Sequence, residues 1–166
     1  MVLAKDELIS TLQNEVRILV HLASKVDPSK IDYRPSAKQR SIIELLQYLV
    51  IMGPNVIKGI KAGTFDGEAW GAAAAAAKEL SFDQTVAALE KLSAIYADLL
   101  HPFSDDDFRT KVEFFGRNES KGAHIVYLVS SGHAAYRTQL FLYLRACGRD
   151  ELNTMNLWGG MDGTMN

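Results

Sequence analysis

His133 and Arg137 stand four residues apart, so on a helix they share one face, with Ser130 one turn earlier and Tyr136 adjacent. An imidazole can accept, donate or transfer a proton near neutral pH. A guanidinium can grip an anionic group through paired charge-assisted bonds. On an otherwise apolar helix this polar cluster has two readings. In one it is the remnant of an active-site cleft, where Arg137 binds an anion and His133 transfers a proton or donates a hydrogen bond. In the other it is a buried hydrogen-bond network tying the last helix to Tyr48, Gln47 or the C-terminal tail, because buried polar groups must find partners.

The sequence holds four histidines, His21, His101, His124 and His133. His124 and His133 are nine residues apart, about 180° around a regular helix, which keeps them from one metal. A centre combining His21 with one last-helix histidine is the remaining alternative. Asp105-Asp106-Asp107 reads as a solvated turn or the start of a short helical turn, since adjacent carboxylates repel and oxygen-ligand loops need a longer pattern. Cys147 is the single cysteine, placed among small residues at a predicted helix end. It reads as a packing residue, excludes an internal disulfide and suits a reducing cytosol. Asn153, Asn156 and Trp158 either pack over the end of the fold or wall a ligand pocket, with Trp158 as a stacking surface.

The elements that must position these groups follow from apolar spacing. Leu8, Leu12, Val16, Leu19 and Ala23 recur at three and four residues, predicting a helix that Asp27-Pro28 ends. Ser41-Ile-Ile-Glu44 is a capping box opening a second helix, whose apolar face runs from Ile42 to Ile60 past a kink at Gly53-Pro54. From Lys61 to Leu80 the pattern weakens around Trp70 and six alanines, which reads as a long crossover with a short helix and Trp70 as a packing anchor. Ser81-Phe-Asp-Gln84 caps a regular third long helix that His101-Pro102 closes. Thr110 to Phe115 alternates apolar and charged residues but is too short and isolated to predict a sheet. Ser120 then caps a final helix to about Cys147, roughly 27 residues or 40 Å long, with Gly148 as its left-handed terminus.

Four long amphipathic helices predict an all-α four-helix bundle over residues 1–150, with a tail, 151–166, packing on it and mobile at its outer end. At 166 residues, 48% of them hydrophobic, the chain can fill one core. A net charge of −2, with no basic run beyond Lys38-Gln39-Arg40, argues against nucleic acid. Neither a signal peptide nor a stretch of about 20 uninterrupted apolar residues is seen, so no membrane is expected and the cytoplasm is the expected location.

Two segments resemble the DinB/YfiT-like family of bacterial four-helix proteins. The first is Tyr33-Arg-Pro-Ser36 followed by Arg40-Ser-Ile-Ile-Glu-Leu-Leu-Gln-Tyr-Leu49; the second runs from His133 through Arg137-x-Gln139 to Leu144-Arg-x-x-Gly148. The resemblance implies a bundle with a long crossover and short extra helical turns, commonly homodimeric. It also implies a divalent transition metal, nickel or zinc, on one histidine from the second helix and two spaced four apart on the last. Some members are thiol S-transferases, in which such a metal activates a small thiol. This sequence departs from that pattern. Gln47-Tyr48 falls where the second-helix histidine should be, with Tyr48 the better match. Alignment on Arg137-x-Gln139 puts Gly132 and Tyr136 at the other two positions, and alignment on His133 puts Arg137 four residues later. Arginine cannot ligate a metal.

No metal ligand is therefore assigned and no cofactor is predicted. The leading expectation is a cytoplasmic, homodimeric DinB-like protein of unassigned activity, with a degenerate metal site and a pocket formed by Tyr48, Gln47, His133, Tyr136, Arg137 and Trp158 for a small anionic or thiol ligand. The alternatives are a metal-dependent thiol S-transferase or hydrolase with a non-standard centre, and a non-catalytic structural or interaction module.

Overall fold

A computed structural model describes residues 3–163. Four long helices form the bundle: α1 (Lys5–Ala23), α2 (Ile42–Ala62), α4 (Phe82–Leu100) and the last helix, which begins as α6 (Lys121–His124) and ends as α7 (Ser131–Ala146). A short helix, α3 (Gly67–Lys78), lies along α2, and a five-residue α5 (Asp105–Arg109) precedes a hairpin. α4 packs against α1 and α2 on one side, and α7 packs against the same two helices on the other. The outermost terminal residues lie outside the described range, so the expected mobility of the tail's end falls there.

Capping fixes where each helix starts. The Ser41 hydroxyl accepts from the Glu44 amide while the Glu44 carboxylate accepts from the Ser41 amide, and Ser81 and Gln84 repeat the arrangement. Asp105-Asp106-Asp107 is the first turn of α5, where Ser104 caps it and the helix dipole favours carboxylates. α2 runs unbroken through Gly53-Pro54 and ends at Gly63, whose φ of 79° is left-handed. It is the only helix among the described residues long and apolar enough by composition to cross a membrane, but 67% of that window is buried inside the bundle.

Leu12, Leu22, Ile42, Leu46, Ile57, Leu89 and Leu140 are among the fully enclosed side chains of the core. Each contributes roughly 1.5–3 kcal/mol by leaving water, so the bundle is held chiefly by this apolar interior.

Two details differ from the sequence reading. Lys111–Phe114 (β1) and Arg117–Ser120 (β2) form an antiparallel hairpin, pairing Lys111 with Ser120 and Phe114 with Arg117. A two-stranded ribbon is marginal alone. This one is anchored because Phe114 is buried and its ring lies close over the bare backbone of Gly59 on α2. The turn at Phe115-Gly116 has φ of 50° and 75°, the geometry of a two-residue hairpin loop, but lacks the asparagine or aspartate that usually signals one. The last helix does start at Ser120 and end at Gly148, but residues Ile125–Ser130 form a π-helical segment inside it. The Ser131 hydroxyl donates to the Val126 carbonyl there, a bond of 3.1 Å.

Residues 151–163 fold back on α1. Met155–Gly159 makes a further π turn there, Asn156 is buried, and Arg17 donates to the Gly160 carbonyl.

Candidate functional site

Tyr48 lies on the face of α2 turned toward α3 and α7, where side chains three and four residues apart share a surface. Tyr136 and Gly132, one turn apart on α7, meet it from across the bundle. The Tyr48 and Tyr136 rings are 5.1 Å apart, edge to face. Trp70, the packing anchor on α3, places its ring 5.9 Å from Tyr48, and Phe65 lies 5.5 Å from Trp70. Phe115, at the hairpin tip, stands 5.2 Å from Phe65. Together with Met52, Val56, Tyr127 and Leu128, these residues wall a cleft of about 510 Å³. Its lining contains no charged side chain. Gly132 makes room in it, since a Cβ there would come within 3.1 Å of the Met52 methyl.

A smaller recess of about 320 Å³ lies on the other side of the Tyr48–Trp70 contact, lined by Arg40, Glu44, Gln47, Ile51 and Lys78 among others. Arg40 sits 4.0 Å above the Tyr48 ring. Gln47 faces this recess but is committed structurally: its amide donates to the carbonyls of Leu80 and Lys78, holding the end of α3 onto α2. Burial, and the hydroxyl of Tyr136 beside it, hold the Tyr48 phenol well above its ordinary ionisation range, so it is neutral at all physiological pH.

His133 and Arg137 do not line this cleft, which corrects the expectation of one pocket built from Tyr48, His133, Tyr136 and Arg137. On a helix, neighbours point about 100° apart. With Gly132 and Tyr136 turned to the cleft, His133 and Arg137 turn into the bundle. His133 is buried, its Nε2 hydrogen-bonded to the Tyr96 hydroxyl of α4, and its Nδ1 has no protein partner. Burial, reinforced by the Arg137 charge, lowers its pKa to about 4. Arg137 donates from Nη1 to the Leu157 carbonyl of the tail at 2.9 Å, and its Nε lies 3.3 Å from the Glu15 carboxylate of α1. Burial pushes the Glu15 carboxyl up, against the downward pull of Arg137. Trp158 does not wall the cleft either. It is 66% exposed on the far side, with the Arg137 guanidinium 5.0 Å from its ring centre. The cluster read from spacing is thus a fastening between α1, α7 and the tail.

The histidines are likewise apart. His124 is beneath the hairpin, with Nε2 3.1 Å from the Val112 carbonyl and its ring against Phe114. The π segment absorbs about one extra residue, so His124 and His133 diverge by about 80° rather than the 180° of an unbroken helix. His21 lies beside Asn156 and Asp162 under the tail. Among the described residues, no three His, Cys, Asp or Glu side chains come together as a metal site would need. The three positions that the resemblance gives to metal ligands do converge, but they carry two phenols and a glycine. This donor set does not fit a three-histidine centre.

Spacing could not have found Phe65 or Phe115, because they reach the cleft from elements that are remote in sequence, whereas Met52, four residues after Tyr48 on α2, follows from the same-face rule. Trp70 was visible only as an isolated large residue between glycines and alanines.

The fold is that of the DinB-like helical proteins. The structure is similar to a DinB-like protein, YjoA, from Bacillus subtilis, with a TM-score of 0.67 at 18% identity over 88% of this chain and 94% of that one. It is also similar to a DinB-like protein from Bacillus cereus ATCC 10987, with a TM-score of 0.68 at 15% identity over 86% of this chain and 92% of that one. No protein-family model and no curated protein matches the sequence.

Proposed function

We propose that this DinB-like protein binds a small molecule in the Tyr48–Tyr136 cleft without a resident metal, acting in the cytoplasm as a homodimer. One observation carries the reading. Tyr48, Gly132 and Tyr136, which stand where the family resemblance expects ligands, meet at a formed, aromatic-walled cleft of about 510 Å³, within the usual range for small-molecule sites. A merely structural replacement of three histidines would be expected to fill that space. The glycine keeps it open. The homodimer rests on the resemblance, and sedimentation at micromolar concentration tests it separately.

Trp70 supplies the readout. The chain has two tryptophans, so Trp158→Phe leaves Trp70 in the cleft as the sole indole reporter. A small-molecule screen on this variant should yield ligands that shift Trp70 emission, insensitively to chelators. Those shifts should disappear in Gly132→Leu, which fills the cleft. Ligands that survive Gly132→Leu, or that need a chelatable metal, overturn the reading. The metal-dependent transferase or hydrolase has no geometric support, because its candidate donors His21, His124 and His133 occupy three separate environments.

A further inference from the structure

The chemistry around the cleft narrows what it would hold. Its aromatic wall is built by Tyr48, Trp70, Phe65 and Phe115. Such walls can cage cations, but that requires free ring faces and nearby negative charge. Here the charges are of the other sign. Arg40 already covers Tyr48 at 4.0 Å, and Arg117 lies 4.6 Å from the ring centre of Tyr127 at the opposite end. The one carboxylate in the adjoining recess, Glu44, is engaged by the Ser41 amide at 2.8 Å and by Arg34 at 3.2 Å. Arg40 and Lys78, which line the same recess, have no carboxylate within salt-bridge distance among the described residues. Arg117 is paired with Glu119 at 3.6 Å, so the unbalanced charge is at the Tyr48 end, where a cation would meet repulsion and an anionic group would meet two unpaired positive charges.

Phe115 adds an independent observation. Its φ of 50° is left-handed, in a turn where asparagine, aspartate or glycine is the low-strain choice, and its ring is 60% exposed. The ring recovers little burial for that strained backbone. It does stand against Phe65 at the mouth of the cleft, where a bound flat molecule would cover it.

Building on the reading above, we propose that the cleft takes a flat apolar molecule bearing a single anionic group. The body lies against Trp70, Phe65 and Phe115, its anionic substituent reaches past the Tyr48–Trp70 edge, which both spaces share, to Arg40 and Lys78 in the adjoining recess, and Phe115 is the residue that selects a flat body.

Two fluorescent probes with one shared body test this on the full chain: 1-anilinonaphthalene-8-sulfonate and its uncharged counterpart N-phenyl-1-naphthylamine. The sulfonate should bind at least about tenfold more tightly, equivalent to one charge-assisted contact. The double variant Arg40→Ala/Lys78→Ala should abolish that preference and leave the uncharged probe unchanged. Phe115→Asn should weaken both probes by about tenfold while the melting temperature stays level or rises, because the turn is relieved of strain. If both probes bind alike and the double variant changes neither, the anionic class is wrong while small-molecule binding at the cleft stands. If Phe115→Asn leaves both affinities intact, Phe115 has no selecting role and that part is overturned. If both probes still bind Gly132→Leu, they sit elsewhere and both this inference and the cleft reading fall.

Discussion

The hydroxyl of Tyr96 on α4 meets Nε2 of His133 on α7 at the point where α2 presents Gly53 and therefore no side chain. Three helices of the bundle are joined at that contact. A Cβ at Gly53 would overlap the Tyr96 hydroxyl directly. Gly53→Ala should therefore push the Tyr96 ring aside and cost about 1–3 kcal/mol, the usual range for overpacking a filled core. Tyr96→Phe removes only the hydroxyl and leaves His133 with neither ring nitrogen partnered, at a cost of about 1–3 kcal/mol. Chemical denaturation of both variants checks this, and unchanged midpoints would show that the contact is incidental.

The same histidine sets a pH dependence. Above about pH 6.5 it is neutral whether the chain is folded or not. Below that, the unfolded imidazole takes up a proton that the folded one, with a pKa of about 4, refuses. Stability contributed by His133 is thus lost as pH falls from about 6.5 toward 4, on the order of 2 kcal/mol between pH 7 and 5. His21, whose pKa burial also lowers, adds in the same direction, while Glu15, whose carboxyl burial raises, opposes it. His133→Gln should flatten the stability profile between pH 7 and 5 relative to the parent protein. Parallel profiles would mean that His133 titrates as freely folded as unfolded.

Arg137 is expected to matter for the tail rather than for ligand binding. It holds the Leu157 carbonyl and faces Glu15, and removing it leaves a buried carboxyl without its countercharge. Arg137→Met should cost up to about 3 kcal/mol, somewhat less than a fully enclosed pair because the Glu15 side chain is 13% exposed. Limited proteolysis should then cut near residues 155–163 much faster than in the parent. Loss of probe binding in the cleft, with the tail still protected, would contradict the placement of Arg137.

The positions facing the cleft can also be asked to become the site they resemble. Tyr48→His, Gly132→His and Tyr136→His together supply three imidazoles, two of them one turn apart on α7. The triple variant should bind stoichiometric nickel or zinc, measured by elemental analysis of untagged protein, and the parent should not. Metal in the parent would mean that the ligands lie elsewhere. Failure of the variant would mean that the backbone at these three positions is not set for a shared ion.

Much of the fold was legible because it rests on local rules. The apolar stripes of α1, α2 and α4, the serine caps and the terminal Gly148 each carry their signal within a few residues. The hairpin was not legible, since Phe115-Gly116 is unusual turn chemistry and β1 is stabilised by a distant partner, Gly59. The site was half legible. Tyr48 and Tyr136 could be placed through the resemblance, but the polarity of His133 and Arg137 drew attention to a buried fastening, because composition alone does not tell which face of a helix meets solvent. Nothing local marks Phe115 as a neighbour of Phe65 and Trp70, for that proximity is created by the fold.

The π segment at Ile125–Ser130 has a consequence for how this chain tolerates changes of length. Such a turn stores about one residue more than an ordinary helical turn needs over the same span. A chain shortened by one residue between Ile125 and Ser130 can close into regular turns with Lys121 and Ser131 left in place, so Gly132 and Tyr136 keep facing the cleft while the Tyr127–Leu128 wall is rebuilt. A chain shortened by one residue between Gly132 and Tyr136 has no such reserve. Every later side chain advances one position, and Arg137 arrives where Tyr136 faced the cleft. Equal losses a few residues apart would leave one protein its Tyr48–Tyr136 contact and give the other a charged binding site.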